Sequence, residues 1–328
     1  MHNKTIIAGE KTMIKNVESK FEDIYDKLYN KYYERFEKMR IHEKNSLKRL
    51  ITGIFCIWIS FALITSEDIN NNVIIIIGIL LGIIGGGLFW GEWHFKKNNN
   101  YSELYKNEVI TEFIKNIIPD FNYLPDFSLE SKNKIIDEYK NAKFDTRQFN
   151  RSYTDDYING KIHNDDIYMC DLDTYYEYVN NKKETCTEKR FSGLFANIRI
   201  NSSNKNIEIK ILNKENSQIE NRNVVKLDFD EFNNNFIIVS DSNISAFQIL
   251  TAEVMEILNT QLKENNIKFD ISIINNNIYL RFYTLPMFEA PINEPVMKKE
   301  NFYRYYTLLR FVMDFSDKIN NIYKNLNI

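Results

Sequence analysis

The chain has 328 residues, 27% of them charged and 14% aromatic, with a formal net charge of −3. That leaves room for an anchor plus one or two modest soluble domains. Near-balanced charge offers no basic face for nucleic acid, and three cysteines cannot make a disulfide framework, so both of those classes are set aside.

In chain order, the N-terminal segment 1–49 comes first, with a helical pattern over 13–49. Val17, Phe21, Ile24, Leu28, Tyr32, Phe36 and Met39 recur at spacings of three or four with charges between them, which predicts an amphipathic helix. A helix lying on the membrane surface is the rival reading. Glu18, Glu22, Asp23, Asp26, Glu34 and Glu37 count against it, because anionic lipid repels them.

Two apolar runs follow, Leu50 to Ser66 and Val73 to Gly91, separated by the polar stretch 67–72. A helix rises about 1.5 Å per residue and hydrocarbon is about 30 Å thick, so each run is long enough to span a bilayer. Lys48 and Arg49 lengthen the first by reaching back to headgroups, and Trp90 and Trp93 mark an interface. The expectation is a transmembrane hairpin over 50–93. The first apolar run starts too late for a cleaved signal peptide. His2 stands where myristoylation requires glycine, and no cysteine closes the C-terminus, so no lipid attachment is expected.

Arg35, Lys38, Arg40, Lys44, Lys48 and Arg49 precede the hairpin and Lys96, Lys97 and Lys106 follow it, whereas the connection carries no positive charge. Translocating basic residues is disfavoured, which predicts a multi-pass inner-membrane protein with both termini cytoplasmic. Cys56 falls in the first span, and Cys170 and Cys186 are read as packing or surface thiols in a reducing compartment. Gly78, Gly82 and Gly86 repeat every fourth residue, and Thr52, Cys56 and Ser60 do the same on the other run. Small residues at that spacing let helix backbones approach, either within one hairpin or between two copies of the chain.

Residues 94–119 carry the next stripe, Tyr105, Val109, Phe113 and Ile117 with Ile110 and Ile114, ended by Pro119. Together with 13–49 it predicts an antiparallel helical stalk.

Residues 120–328 read as an α+β domain with a mainly antiparallel sheet and packed helices. Strands are predicted over Lys161 to Asp171, Phe191 to Ile200, around Ile207, Ile209 and Ile211, Val225 to Phe229, and Phe236 to Val239. One helix is predicted through Ile244, Phe247, Leu250, Val254, Ile257, Leu258 and Leu262, capped from Asp241 to Asn243. Ile267, Phe269, Ile271 and Ile273 alternate, Asn275 to Asn277 turn, and Ile278, Leu280 and Phe282 alternate back as a hairpin. A last helix covers about Lys298 to Asn325, and asparagine runs fill the turns.

Several landmarks form a recognisable order: Tyr123-Leu124-Pro125, Asp156 to Gly160, Phe191-Ser192-Gly193-Leu194-Phe195, Phe236 to Asp241, Ala246, Ile249-Leu250-Thr251, and Phe288-Glu289. In these the chain resembles the bacterial membrane proteins grouped as domain of unknown function 3137. The resemblance implies an N-terminal helix, two close transmembrane segments and a cytosolic α+β region. It implies no reaction and no site residue.

No catalytic, cofactor-binding or metal constellation stands out. Asp155 to Asp166 can be laid on a calcium loop, but Tyr157 occupies a ligand position and Asp166 replaces the bidentate Glu, so a strand-connecting turn with Gly160 at positive φ is the preferred reading. His163 with Asp165, Asp166, Asp171 and Asp173 is a His-plus-carboxylate cluster, although alternation along a strand disperses such neighbours. Cys170 and His163 lie too far apart along a strand to exchange a proton, and Gly85 to Gly87 lie within a span where phosphate is implausible. A transport pathway lacks intramembrane charge. The expectation is therefore a membrane anchor, embedded in the lipid bilayer, presenting an α+β module to a protein partner or a second copy, without a cofactor. The alternative is a membrane-bound hydrolase centred on His163.

Overall fold

The computed structural model describes residues 2–65, 72–98, 100–144, 148–201, 207–215, 223–264 and 266–325. The chain forms two compact units, Met1–Phe113 with Glu289–Lys299, and Ile114–Phe288 with Glu300–Ile328.

The first unit is helical. Helix α1 (His2–Thr65) runs unbroken from the amphipathic segment into the first apolar run, and α2 (Asn72–Asn98) carries the second. The connection at 67–72 lies, apart from Asn72, outside the described residues. Both helices are long and apolar enough to cross a membrane. Helix α3 (Tyr101–Leu104) is capped by Asn100, whose side chain accepts from the Glu103 N–H. A π-helical turn, Tyr105–Ile110, leads into α4 (Thr111–Ile117).

These segments run antiparallel to α1. Phe36 meets Tyr105 edge-on at 6.1 Å, Arg35 grips Glu108 with two hydrogen bonds of 2.6 and 3.0 Å, and Lys31 and Tyr32 both donate to Glu112. Leu28, Phe36, Val109 and Ile110 are fully buried, each worth about 1.5–3 kcal/mol relative to exposure. Residues 289–299 also pack on α1. Glu37 pairs with Arg40 and accepts the Val296 N–H at 3.0 Å, Arg40 donates to the Ile292 carbonyl at 2.7 Å, and Tyr25 donates to the Met297 carbonyl at 2.6 Å.

The second unit is α+β, as its alternating patterns imply. Its strands are β1 (Asn122–Leu124), β2 (Arg151–Ile162), β3 (Asp165–Val179), β4 (Thr185–Arg199), β5 (Glu208–Asn213), β6 (Val224–Val225), β7 (Phe236–Ser240), β8 (Phe269–Ile274) and β9 (Asn277–Phe282). They form one sheet in the order β1-β2-β3-β4-β9-β8-β5-β7-β6, antiparallel at every pairing. Helices α5 (Leu129–Asn141), α6 (Asp230–Asn235), α7 (Asn243–Ile249), α8 (Ala252–Glu264) and α9 (Lys299–Asn325) complete it.

One sheet face carries Phe269, Ile271, Ile273, Leu280 and Phe282, all fully buried, with Phe311 of α9 at 5.5 Å from Phe269 and 5.7 Å from Phe282. The opposite face carries Cys170, Leu172, Phe191, Phe195 and Tyr279, covered by Ile135 and Tyr139 of α5. Gly193 sits at φ +148, and a Cβ there would lie 1.9 Å from the Phe282 carbonyl oxygen, so only glycine lets β4 and β9 close.

Four local expectations are corrected. Lys161 to Asp171 is not one strand: it spans the end of β2, a turn at His163 and Asn164, and the start of β3. Gly160 is no turn residue. It pairs with Ile167 inside β2, and the Phe121 ring occupies the space a Cβ would need. The left-handed residues are instead Asp156 (φ 55), at the register shift of β2, and His163 (φ 54). The predicted helix through 244–262 breaks at Leu250, because the Thr251 hydroxyl accepts the Val254 N–H at 3.4 Å and restarts the chain as α8. The strand expected from Val225 to Phe229 is only the two-residue β6, and Phe229 already caps α6.

Candidate functional site

The residues singled out from sequence do not converge. His163 stands at the β2–β3 turn with its side chain 61% exposed, 3.7 Å from Asp317. Asp165 is buried and accepts the Asn201 N–H at 2.9 Å and the Asn320 amide at 2.5 Å. Asp166 faces solvent and pairs with Lys161 at 3.1 Å. Asp171 is buried and accepts the Met287 N–H at 2.5 Å. Each buried carboxylate thus holds a neighbouring segment in place, and the exposed one belongs to a surface ion pair. Cys170 is fully buried in the core under α5, away from the turn that carries His163, and burial pushes its thiol well above the usual range. Asp155 to Asp166 is strand and turn rather than a calcium loop: Asn159 pairs with Tyr168 and Gly160 with Ile167.

Gly78 and Gly82 face α1, where a Cβ would meet Ile64 at 3.1 Å and Ser60 Oγ at 2.8 Å respectively. A Cβ on Gly86 would meet nothing within 4 Å, whereas one on Gly85 would lie 2.7 Å from the Gly53 carbonyl oxygen. The seam between the helices therefore follows Gly78, Gly82 and Gly85 against Gly53 and Ser60.

A cleft appears where sequence reading placed none. It begins with α5, which the sequence supports through the Ser128 N-cap, Glu130 in the first turn and Lys140 in the last. Ile135 and Tyr139 anchor the helix to the sheet, with the Tyr139 ring stacked 5.5 Å from Phe191 and edge-on to Phe195 at 5.3 Å. After the helix ends, Lys143 adopts φ 49 and turns the chain so that Phe144 returns to the sheet. There it packs 4.6 Å from the guanidinium of Arg281.

Arg281 and Asp270 face each other across β9 and β8. Arg281 Nε donates to Asp270 Oδ2 at 2.7 Å and Nη1 donates to the Tyr139 hydroxyl at 3.1 Å. Asp270 also accepts the Asn213 N–H at 2.6 Å and the Tyr283 hydroxyl at 2.7 Å. The pair is buried, Asp270 at 0% and Arg281 at 2% exposure. Burying two charges is repaid only by such complete hydrogen bonding. Burial pushes the Tyr283 phenol above its ordinary range, so it stays a protonated donor to Asp270.

A cleft of about 270 Å³ opens beside this pair, lined by Tyr139, Lys140, Lys143, Phe144, Gln148, Phe149 and Arg281. A second cleft of about 280 Å³ includes Lys134, Glu138, Asp166, Tyr168, Asn197 and Arg199. Its charges are mixed, and Glu138 is already engaged by the Tyr279 hydroxyl at 2.7 Å.

Sequence reading missed the first cleft because Asp270 and Arg281 occupy the polar positions of two alternating strands, where solvent is the default expectation. The signal available was α5 itself, a capped segment with Ile135 and Tyr139 four residues apart.

Residues 189–321 match the model of the family described as "Protein of unknown function (DUF3137)". Over this segment the chain is similar to that family. The DUF3137 match takes in β4 through β9 and most of α9, including Gly193 and the α7–α8 break. No curated protein matches the chain. Among solved structures, the mycobacterial trehalose monomycolate transport factor A, TtfA, aligns with 62% of this chain and 86% of its own at 7% identity and a TM-score of 0.36, a likeness too weak to transfer fold or function.

Proposed function

We propose that this chain is a two-pass inner-membrane protein, both termini cytoplasmic, whose α+β unit is displayed to bind a protein partner, a second copy of the chain included. The observation that carries the reading is the outward face of the two apolar helices. Ile54, Phe55, Trp58 and Phe61 on α1, and Ile76, Leu80, Ile83 and Ile84 on α2, are all more than half exposed. Apolar side chains arrayed that densely on a water-facing surface are unfavourable, and hydrocarbon relieves the cost. Trp90 and Trp93, 71% and 65% exposed, suit the interfacial belt. The distribution of basic residues supports the orientation.

Support for binding rather than catalysis comes from His163, Asp165, Asp166 and Asp171, which engage different partners: Asp165 and Asp171 hold neighbouring segments, and His163 and Asp166 face solvent. The test is twofold. Alkaline carbonate should leave the chain in the membrane pellet, and a C-terminal tag should resist protease added to intact cells; release or digestion overturns the anchor. Capture of the full-length chain from solubilised membranes should recover a stoichiometric partner, unchanged when His163→Ala and Asp166→Ala are combined. Loss of phenotype in that variant with normal accumulation would instead favour the hydrolase.

A further inference from the structure

We propose that the cleft beside Arg281 is a binding site for a small aromatic carboxylate. Among the described residues, every charged side chain lining it is a cation: Lys140, Lys143 and Arg281. Asp270, the acid paired with Arg281, does not reach the cleft. It is fully buried, with one oxygen taken by the Asn213 N–H and the other by Arg281 and Tyr283. Lys140 and Lys143 pair at 3.2 and 3.3 Å with Asp137 and Glu208, but all four side chains are substantially solvated. Such pairs are worth little, so an incoming anion displaces them at small cost.

The rest of the wall is aromatic. Phe144 lies against the Arg281 guanidinium at 4.6 Å, and Lys140 stands 5.9 Å from the centre of Phe149. Tyr139 closes the floor, held by its bond to Arg281. A slot with ring faces on its walls and cations at its rim fits a flat apolar body carrying one negative charge. The volume of about 270 Å³ limits that body to roughly a single ring. The slot also lies at the C-terminal end of α5, where the helix dipole is negative and carbonyls rather than N–H groups point outward, so a monoanion is favoured over a phosphate dianion.

The test uses the full-length chain in lipid nanodiscs with benzoate as the probe, benzamide as its neutral isostere and inorganic phosphate as an anion without a ring, read by saturation-transfer NMR. Benzoate should bind about tenfold more tightly than benzamide, and the double variant Lys140→Gln, Lys143→Gln should weaken benzoate about tenfold while leaving benzamide unchanged, as expected for two partly screened charges. Added salt should weaken benzoate alone. Both lysines are at the surface, so the variant should keep the wild-type melting temperature, and the test avoids Arg281→Gln, which would disturb the buried pair. Lys134→Gln at the neighbouring cleft should change nothing. Absent benzoate binding, equal binding of benzamide, phosphate binding as tight as benzoate, or a double variant indistinguishable from wild type would each overturn the assignment.

Discussion

Gly193 shows how much one residue can fix. Its backbone at φ +148 and the 1.9 Å approach of the Phe282 carbonyl leave no room for a methyl group. Gly193→Ala should therefore cost about 1–3 kcal/mol from backbone strain alone, with the steric clash added, read as a lowered unfolding midpoint. Cys170 makes the opposite point, because its chemistry is removed by its surroundings. Full burial holds the thiol protonated, so N-ethylmaleimide should leave Cys170 unmodified in the folded chain and label it after denaturation, as mass spectrometry of the digest would show. Labelling of Cys170 in the native protein would contradict the packing under α5.

Among elements, the 289–299 segment depends on α1 through Glu37. Hydrogen bonds from Arg40 hold Glu37 below the ordinary carboxylate value of 4.5, against the opposing effect of burial, and the Val296 N–H adds to them. A folded-state pKa lowered in this way contributes stability above the unfolded value and loses it as pH falls. Glu37→Gln should destabilise the chain by about 1–2 kcal/mol at neutral pH. The difference from wild type should shrink as pH drops below about 4.5, where both side chains become neutral. Thermal melts of the two proteins across that range test it; a constant difference would mean that the Glu37 charge does not hold the segment. Between β8 and β9, removing one partner of the buried pair, as in Asp270→Asn, should cost about 3–5 kcal/mol, whereas replacing both Asp270 and Arg281 by apolar residues of similar volume should cost less. Denaturant midpoints of the single and double variants decide it.

For the molecule as a whole, the seam between the two apolar helices sets how they are joined. The ideal Cβ of Gly85 lies 2.7 Å from the Gly53 carbonyl oxygen, and that of Gly86 meets nothing. Gly85→Ile should separate the helices and lower accumulation of the chain, while Gly86→Ile should leave the pairing intact. Disulfide trapping between cysteines introduced on the facing positions 60 and 82 would report it. Equal loss in both variants would place the close approach elsewhere.

What could be read directly from residue order was periodicity. The α1 stripe, the asparagine hairpin and the last helix are repeats of 3.6 or 2, and the two apolar runs are legible from their unbroken length, all of which local patterning determines before any packing occurs. The hairpin even closes with a two-residue turn, Asn275 adopting φ 55 between Ile274 and its partner Asn277. Tertiary contacts decided the rest. Alternation in β8 and β9 marks one apolar face, but whether the other meets water depends on what packs there, and α5 turned Asp270 and Arg281 into a buried pair. The His163 carboxylates are close in sequence yet do not meet at one point, because all of them lie on β3, where alternation buries Asp165 and exposes Asp166 while Asp171 stands further along the strand. Nearness along a chain follows from covalent geometry, whereas convergence on a site depends on which faces the fold brings together.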